Sequence, residues 1–199
     1  MGAVKTRMMP HLSASEACDL HSELVLWTTD SLLHTGLGPV ELVVEGALEH
    51  ALFAHCRERG LAAISRQQGT DLGERMHHAL ADGLRRYERV VLVGSDCPGI
   101  DRAHLEGAFA ALDSSDVVLG PALDGGYVLV GARRPCREMF AGIAWGTDKV
   151  LAATRERLQG VGLAWSELPP LADIDRPEDL HLWEAIKGTG RAREGLLRQ

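Results

Sequence analysis

The chain is poor in cysteine. Its four, Cys18, Cys56, Cys97 and Cys136, are scattered without a Cys-x-x-Cys pair, a spacing that points to neither a zinc knuckle nor a disulfide framework. Positive charge is also scarce, with 21 Lys and Arg against 28 Asp and Glu and a formal net charge of -7. That balance argues against nucleic acid or an anionic membrane as a broad partner. No apolar run approaches the ~20 residues of a membrane span, and no signal-peptide core opens the sequence, so a cytoplasmic protein is expected. Nine histidines give no His-Glu-x-x-His or comparable ligand spacing, and His77 and His78 read as helix-surface or packing residues. Internal repeats and low-complexity tracts are missing too.

What is there suits one ordinary globular domain: 199 residues, 45% hydrophobic and 25% charged. The domain is placed at residues 1–186, with a Gly/Arg-rich tail at 187–199 expected to fray. Its organising stretch runs from Arg89 to Gly99. The apolar run ending at Val93 reads as a central strand buried on both faces. Gly94 and Ser95 follow, and then Asp96, in a turn rich in Gly, Ser and Pro. A carboxylate there is either a turn former bonding its own backbone or a ligand-side group at the carboxyl end of a parallel strand.

Around that stretch helices and strands alternate. Ser13 with Glu16 is a capping-box pattern for a helix to about His34. Val40–Val44 reads as a strand, Ala47–Arg59 as a helix closed by Gly60, and Leu61–Ser65 as a short strand. Asp71 with Glu74, and later Asp101, cap two further helices. Asp116–Leu119, Tyr127–Val130 and Leu163–Leu168 complete the strands. Helices are placed from Thr147, as a hydroxyl cap, to about Leu158, and from Pro177 through Ile186. Short linkers between alternating elements imply βαβ units, hence an α/β fold with a mostly parallel, doubly wound sheet.

Three acidic loops, at Asp96, at Asp124, and at Asp173 with Asp175, would converge if they end strands of one such sheet. Two carboxylates facing a diphosphate need a divalent cation between them, and oxygen ligands suit Mg2+ or Mn2+. Lys5 and Arg7, two apart beside Gly2, either reach phosphates or lie in a solvated tail. Asp124-Gly125-Gly126-Tyr127 is either a place where backbone approaches a ligand or a tight hairpin turn. Gly69 to Arg75 is either a capped helix start or a set of amides for an anion. Cys97 reads as a small buried hydrophobe.

Taken together, Lys5-Thr6-Arg7, Asp71-Leu72-Gly73-Glu74-Arg75, Gly94-Ser95-Asp96-Cys97-Pro98, Gly120 to Tyr127, Trp145-Gly146-Thr147 and Asp173 to Leu180 resemble the ordered motifs of the DUF2064 family of glycosyltransferase A-like proteins. The family is also called selenodomain-associated transferase 1 or arsenosugar-biosynthesis glycosyltransferase. The resemblance spans about residues 2–186 and implies a nucleotide-diphospho-sugar transferase fold with a pocket for a nucleotide or nucleotide-sugar and an unknown small-molecule acceptor. It implies Lys5, Asp96 and Asp124 as catalytic residues; Gly2, Lys5, Arg7 and Gly94 at the phosphates; Gly125, Gly126 and Tyr127 on the acceptor side; and Asp96, Asp173 and Asp175 at Mg2+ or Mn2+. Three activities stay open: a metal-dependent glycosyltransferase, a nucleotidyltransferase releasing pyrophosphate, and a shortened, inactive binding protein. Family members usually begin with a strand and a Pro-Gly loop. Only Gly2-Ala3-Val4 stand before Lys5 here, so the first strand is expected to be absent, through a mis-assigned start or a truncated chain. Arg176 replaces the threonine usual at that position.

Overall fold

A computed structural model describes residues 4–9 and 11–196, with side chains to residue 189. The strands are β1 (Glu41–Val44), β2 (Ala63–Arg66), β3 (Val90–Val93), β4 (Val117–Pro121), β5 (Tyr127–Ala132) and β6 (Trp165–Glu167). The helices are α1 (Ala14–Thr35), α2 (Ala51–Glu58), α3 (Leu72–Leu84), α4 (Arg102–Ala111), α5 (Val150–Gly160) and α6 (Leu180–Leu196). Local capping chemistry sets several starts. Ser13 and Glu16 close a full capping box on α1, while Asp71 and Asp101 accept from the backbone of Glu74 and His104 to begin α3 and α4.

A four-stranded sheet runs in the order β3-β5-β4-β6. Its fourth strand in chain order alternates cleanly: Val117 and Leu119 face a core with α3 and α5, and Val118 faces a core with α4. Helices therefore cover both faces, as a doubly wound α/β fold requires. The sheet is mixed rather than parallel throughout, because β5 runs antiparallel to both β3 and β4 while β4 and β6 are parallel. The reversal is a hairpin, and its register slips at Gly120/Pro121 beside the Asp124 turn. A slip of this kind bends the strand end and re-aims the residues after it.

Two expectations about the sheet need correction. β3 is an edge of its sheet rather than a central strand, and its residues are only half-buried. β1 and β2 form a separate parallel pair. Between these two units lies a cavity of about 700 Å³, lined by Leu42 and Val44 of β1, Val91 and Val93 of β3, and Val25 of α1. β3 pairs with β5 on one edge only, its aliphatic run borders that cavity, and among the described residues no strand precedes β1.

Smaller corrections follow from local bonding. Thr147 does not cap α5: its hydroxyl donates to Ala144 O at 2.8 Å, and the helix starts at Val150. Pro177 opens a 3-10 turn, Pro177–Asp179, which leads into α6. The α6 backbone runs to Leu196, consistent with the good helix formers Arg191, Ala192, Arg193 and Glu194.

A third core joins Met8, Leu20, Leu24, Ile174 and Trp183, with Trp27 set edge-on to Trp183 at 5.4 Å. This cluster positions the site, because it ties the turn after Lys5 and the loop before Pro177 to the same face of α1.

Candidate functional site

The site is assembled from core residues outward. Ile174 is 1% exposed, buried against Met8 and Leu24. Its neighbours face the site: Asp173 lines the cavity and Asp175 accepts from Arg7. The Ile174 amide donates to Asp96 O at 2.8 Å, which joins the last loop to the turn after β3. Helix α1 holds that turn as well: Trp27 Nε1 donates to Pro98 O at 3.1 Å and Thr28 Oγ1 to Ser95 O at 3.2 Å. Buried Cys97 donates to Ala172 O at 3.4 Å, and burial pushes its thiol up to about 12, so it serves packing rather than nucleophilic chemistry. Gly94 has a specific purpose, since a Cβ there would come within 2.8 Å of Asp96 Oδ1.

Lys5 and Arg7, the two cations expected at phosphates, both reach carboxylates. Lys5 Nζ donates to Asp96 Oδ2 at 3.1 Å and to Ile174 O at 2.5 Å, and stands 3.7 Å from Asp175 Oδ1. Arg7 forks between Asp175 Oδ2 at 2.6 Å and Gly146 O at 3.0 Å, so it links the last loop to the Trp145-Gly146-Thr147 block. Asp179 accepts from the amides of Asp175 and Arg176 at 3.0 and 2.7 Å, so Arg176 is held without needing a capping hydroxyl of its own. Gly2 lies outside the described residues.

Asp124 shows the hairpin reading of its motif. Its Oδ1 accepts from Gly126 N at 2.9 Å, closing the β4–β5 hairpin, yet Asp124, Asp96 and Asp173 all line the end of the same cavity. Gly125, at φ 90°, carries its turn against the loop before α5 and accepts from Leu151 N at 2.9 Å. Tyr127, expected on the acceptor side, lines the same cavity. Its ring packs near-perpendicular to Trp145 at 6.4 Å, its hydroxyl is buried without a partner, and burial raises its pKa. The Asp71 to Arg75 block caps its own helix: Asp71 accepts from Glu74 N and Glu74 from Thr70 N, and Glu74, bonded by Thr70 and Arg137, is held down to about 2.

Asp173 has the clearest electrostatic signature. Burial first, then the carboxylates of Asp124, Asp96 and Asp175, raise it to about 6. Because its folded pKa lies above the ordinary 3.8, the fold favours the protonated form, and that stabilisation is lost as pH rises through about 6. Asp173→Asn is therefore expected to raise Tm by about 2–4 °C at pH 7.5, corresponding to about 1 kcal/mol once a half-exposed group is discounted for screening. Melting curves at pH 7.5 and pH 4 check this, since the gain should vanish at the lower pH.

The donor set is oxygen-only, the kind Mg2+ and Mn2+ take, and the carboxylates of Asp124, Asp96 and Asp175 add to the effect of burial on Asp173. The chemistry fits a divalent cation, although among the described residues no three Asp, Glu, His or Cys side chains stand as a ready ligand group. Lys5 lies between two of the candidates.

Sequence reasoning missed His21. It lines the same cavity as Asp96, and burial first, then the Lys5 charge, lower its pKa. The signal was the spacing His21, Val25, Thr28 and Leu32, a second stripe on α1 beside the core stripe of Ala17, Leu20 and Leu24. No helix among the described residues is long and apolar enough to cross a membrane.

Comparison with known proteins agrees with this layout. The model of a family described as uncharacterized proteins conserved in bacteria (DUF2064) matches residues 28–147. A provisionally named nucleotide-diphospho-sugar transferase from Desulfovibrio desulfuricans G20 is 32% identical, with 88% of this chain and 77% of that one covered and a TM-score of 0.77. A CMP:2-keto-3-deoxy-manno-octonic acid synthetase, solved with CTP, shares the fold at 11% identity, TM-score 0.54, and coverage of 84% and 88%. So does a hypothetical transferase from Thermus thermophilus, at 19% identity, TM-score 0.50, and coverage of 79% and 85%. No curated protein matches the chain.

Proposed function

Because this chain belongs to the DUF2064 family and has a nucleotide-diphospho-sugar transferase-like fold, we propose that it is a metal-dependent transferase acting on a nucleotide-sugar donor. One observation carries the reading: Lys5, Asp96, Asp124, Asp173 and Asp175, from four separate stretches, form one charged cluster, of which Asp96, Asp124 and Asp173 line the cavity. Such a cluster has little structural use, and its self-repulsion costs stability, which is the usual mark of a working site.

In this reading Asp96, with Asp173 or Asp175, holds Mg2+ or Mn2+. The ion supplies charge neutralisation for a leaving diphosphate. Lys5 and Arg7 supply further positive charge, Lys5 as a point charge and Arg7 as a planar fork. Gly94 keeps space for the Asp96 carboxylate, and Gly125 and Gly126 let backbone approach the acceptor. Asp124 is the carboxylate placed to take the proton as the acceptor oxygen bonds to the sugar carbon and the bond from that carbon to the diphosphate breaks. Tyr127 supports this corner from behind.

Lys5 beside Asp96 also favours a second reading, nucleotidyl transfer with loss of pyrophosphate, because a lysine there can stabilise a transferred phosphoryl group. Donor turnover separates the two. The enzyme with Mn2+ should release nucleoside diphosphate from a panel of nucleotide-sugars and no pyrophosphate from nucleoside triphosphates. Pyrophosphate release alone would select the second reading, and release of neither, with no nucleotide binding, would select an inactive binding protein.

A further inference from the structure

Lys5 occupies a costly position. It is the one non-glycine residue with positive φ among those described, at 51°, and its side chain is 5% exposed. A lysine ordinarily keeps its ammonium in water. Here left-handed backbone strain and lost solvation are offset by three oxygens, on Asp96, Ile174 and Asp175, at 3.1, 2.5 and 3.7 Å. The space between Asp96 and Asp175 already holds a cation, and that cation is part of the chain.

Resting on the reading that Asp96 holds a divalent ion, we infer that the Lys5 ammonium and that ion compete for the Asp96 carboxylate. Lys5 acts as the resident counter-ion of the empty site and leaves Asp96 when the metal arrives. The neighbourhood gives it somewhere to go, since Val4 and His21 border the cavity of about 700 Å³ that also reaches Asp96. Once released, the ammonium is free to meet an anionic ligand. The metal and a diphosphate then bind with positive coupling, because the first frees the group that contacts the second. Lys5 is in this sense the metal's competitor at Asp96 and, once displaced, a phosphate contact.

The test compares Mn2+ affinity, by electron paramagnetic resonance of the free ion, in the wild type, Lys5→Met and Arg7→Met. Each variant removes one charge, but Arg7 touches Asp175 and not Asp96. Competition for Asp96 predicts that Lys5→Met binds Mn2+ about tenfold more tightly, whereas Arg7→Met, which frees Asp175 and leaves the Lys5–Asp96 pair in place, shifts affinity about threefold or less. Equal tightening in the two variants, or none in Lys5→Met, overturns the inference. Mn2+ binding that Asp96→Asn leaves unchanged in the wild type sinks the metal reading itself, and the inference with it. Should Lys5→Met fail to fold, the wild type still decides the matter. The 15N signal of the buried Lys5 ammonium should move when Mg2+ saturates the protein, and a signal that stays fixed contradicts the displacement.

Discussion

Asp96→Asn is expected to lower transferase turnover by about 10³-fold while the protein still folds. The substitution keeps the shape of the side chain, so Gly94 still accommodates it and the backbone bond from Ile174 N to Asp96 O, 2.8 Å, is untouched. What disappears is the charge that faces Lys5 and that is assigned to the cation. Lys5 retains Ile174 O and Asp175, and the Asp96 side chain is 38% exposed. The stability loss should therefore be about 1 kcal/mol, well short of the several kcal/mol seen when a fully buried ion pair loses one partner. Steady-state turnover together with a melting curve checks the pair of effects. A variant that retained turnover would remove Asp96 from the chemistry, and one that failed to fold would make Asp96 structural.

Gly125→Ala should produce the largest loss of stability of any single methyl group added near the site. The residue sits at φ 90°, where an L side chain is strained, and a Cβ there would lie 2.2 Å from the Asp148 carbonyl oxygen. Positive φ costs about 1–3 kcal/mol on its own, and displacing a backbone carbonyl adds roughly as much again. The total of about 3 kcal/mol corresponds to a fall in Tm of about 6–12 °C for a chain of this size. The same displacement should disturb the bond from Leu151 N to Gly125 O and tilt the Asp124 turn, so activity should fall further than stability explains. Gly126→Ala is the control: a Cβ there meets only the Asp124 carboxylate, at 3.1 Å, and no positive φ is required.

The parts of this molecule legible in its sequence are those with local causes. Ser13, Asp71 and Asp101 announce helix starts because a cap is a bond within one turn. The acids of three distant loops could be brought together on paper because strand ends of one sheet converge. Pairing direction was harder, since it depends on partners far along the chain, and the general pattern of alternating elements favoured parallel strands. The hairpin alternative for Asp124-Gly125-Gly126 held the information about β5. The same aspartate closes the turn with one oxygen and lines the cavity.

Least legible was the behaviour of charge. Spacing shows that Lys5 and Arg7 are near each other, but not that they turn inward onto Asp96 and Asp175. That choice depends on the core of Met8, Leu24 and Ile174 and on a left-handed residue at position 5. The position of β3 at a sheet edge likewise follows from what does not pair with it, which no feature of Val90–Val93 reveals. His21 escaped notice because one histidine in a helix carries no signal until its neighbours on the same face are known.

The central claim is that one hard cation is gripped by loops lying nearly eighty residues apart along the chain, from Asp96 to Asp173. Substoichiometric Mn2+ added to the 15N-labelled protein tests it most directly, through paramagnetic broadening of amide signals. Signals of 94–97, 124–127 and 173–175 should broaden together and recover with excess Mg2+. Broadening confined to one of these loops, or centred elsewhere on the molecule, would contradict the account.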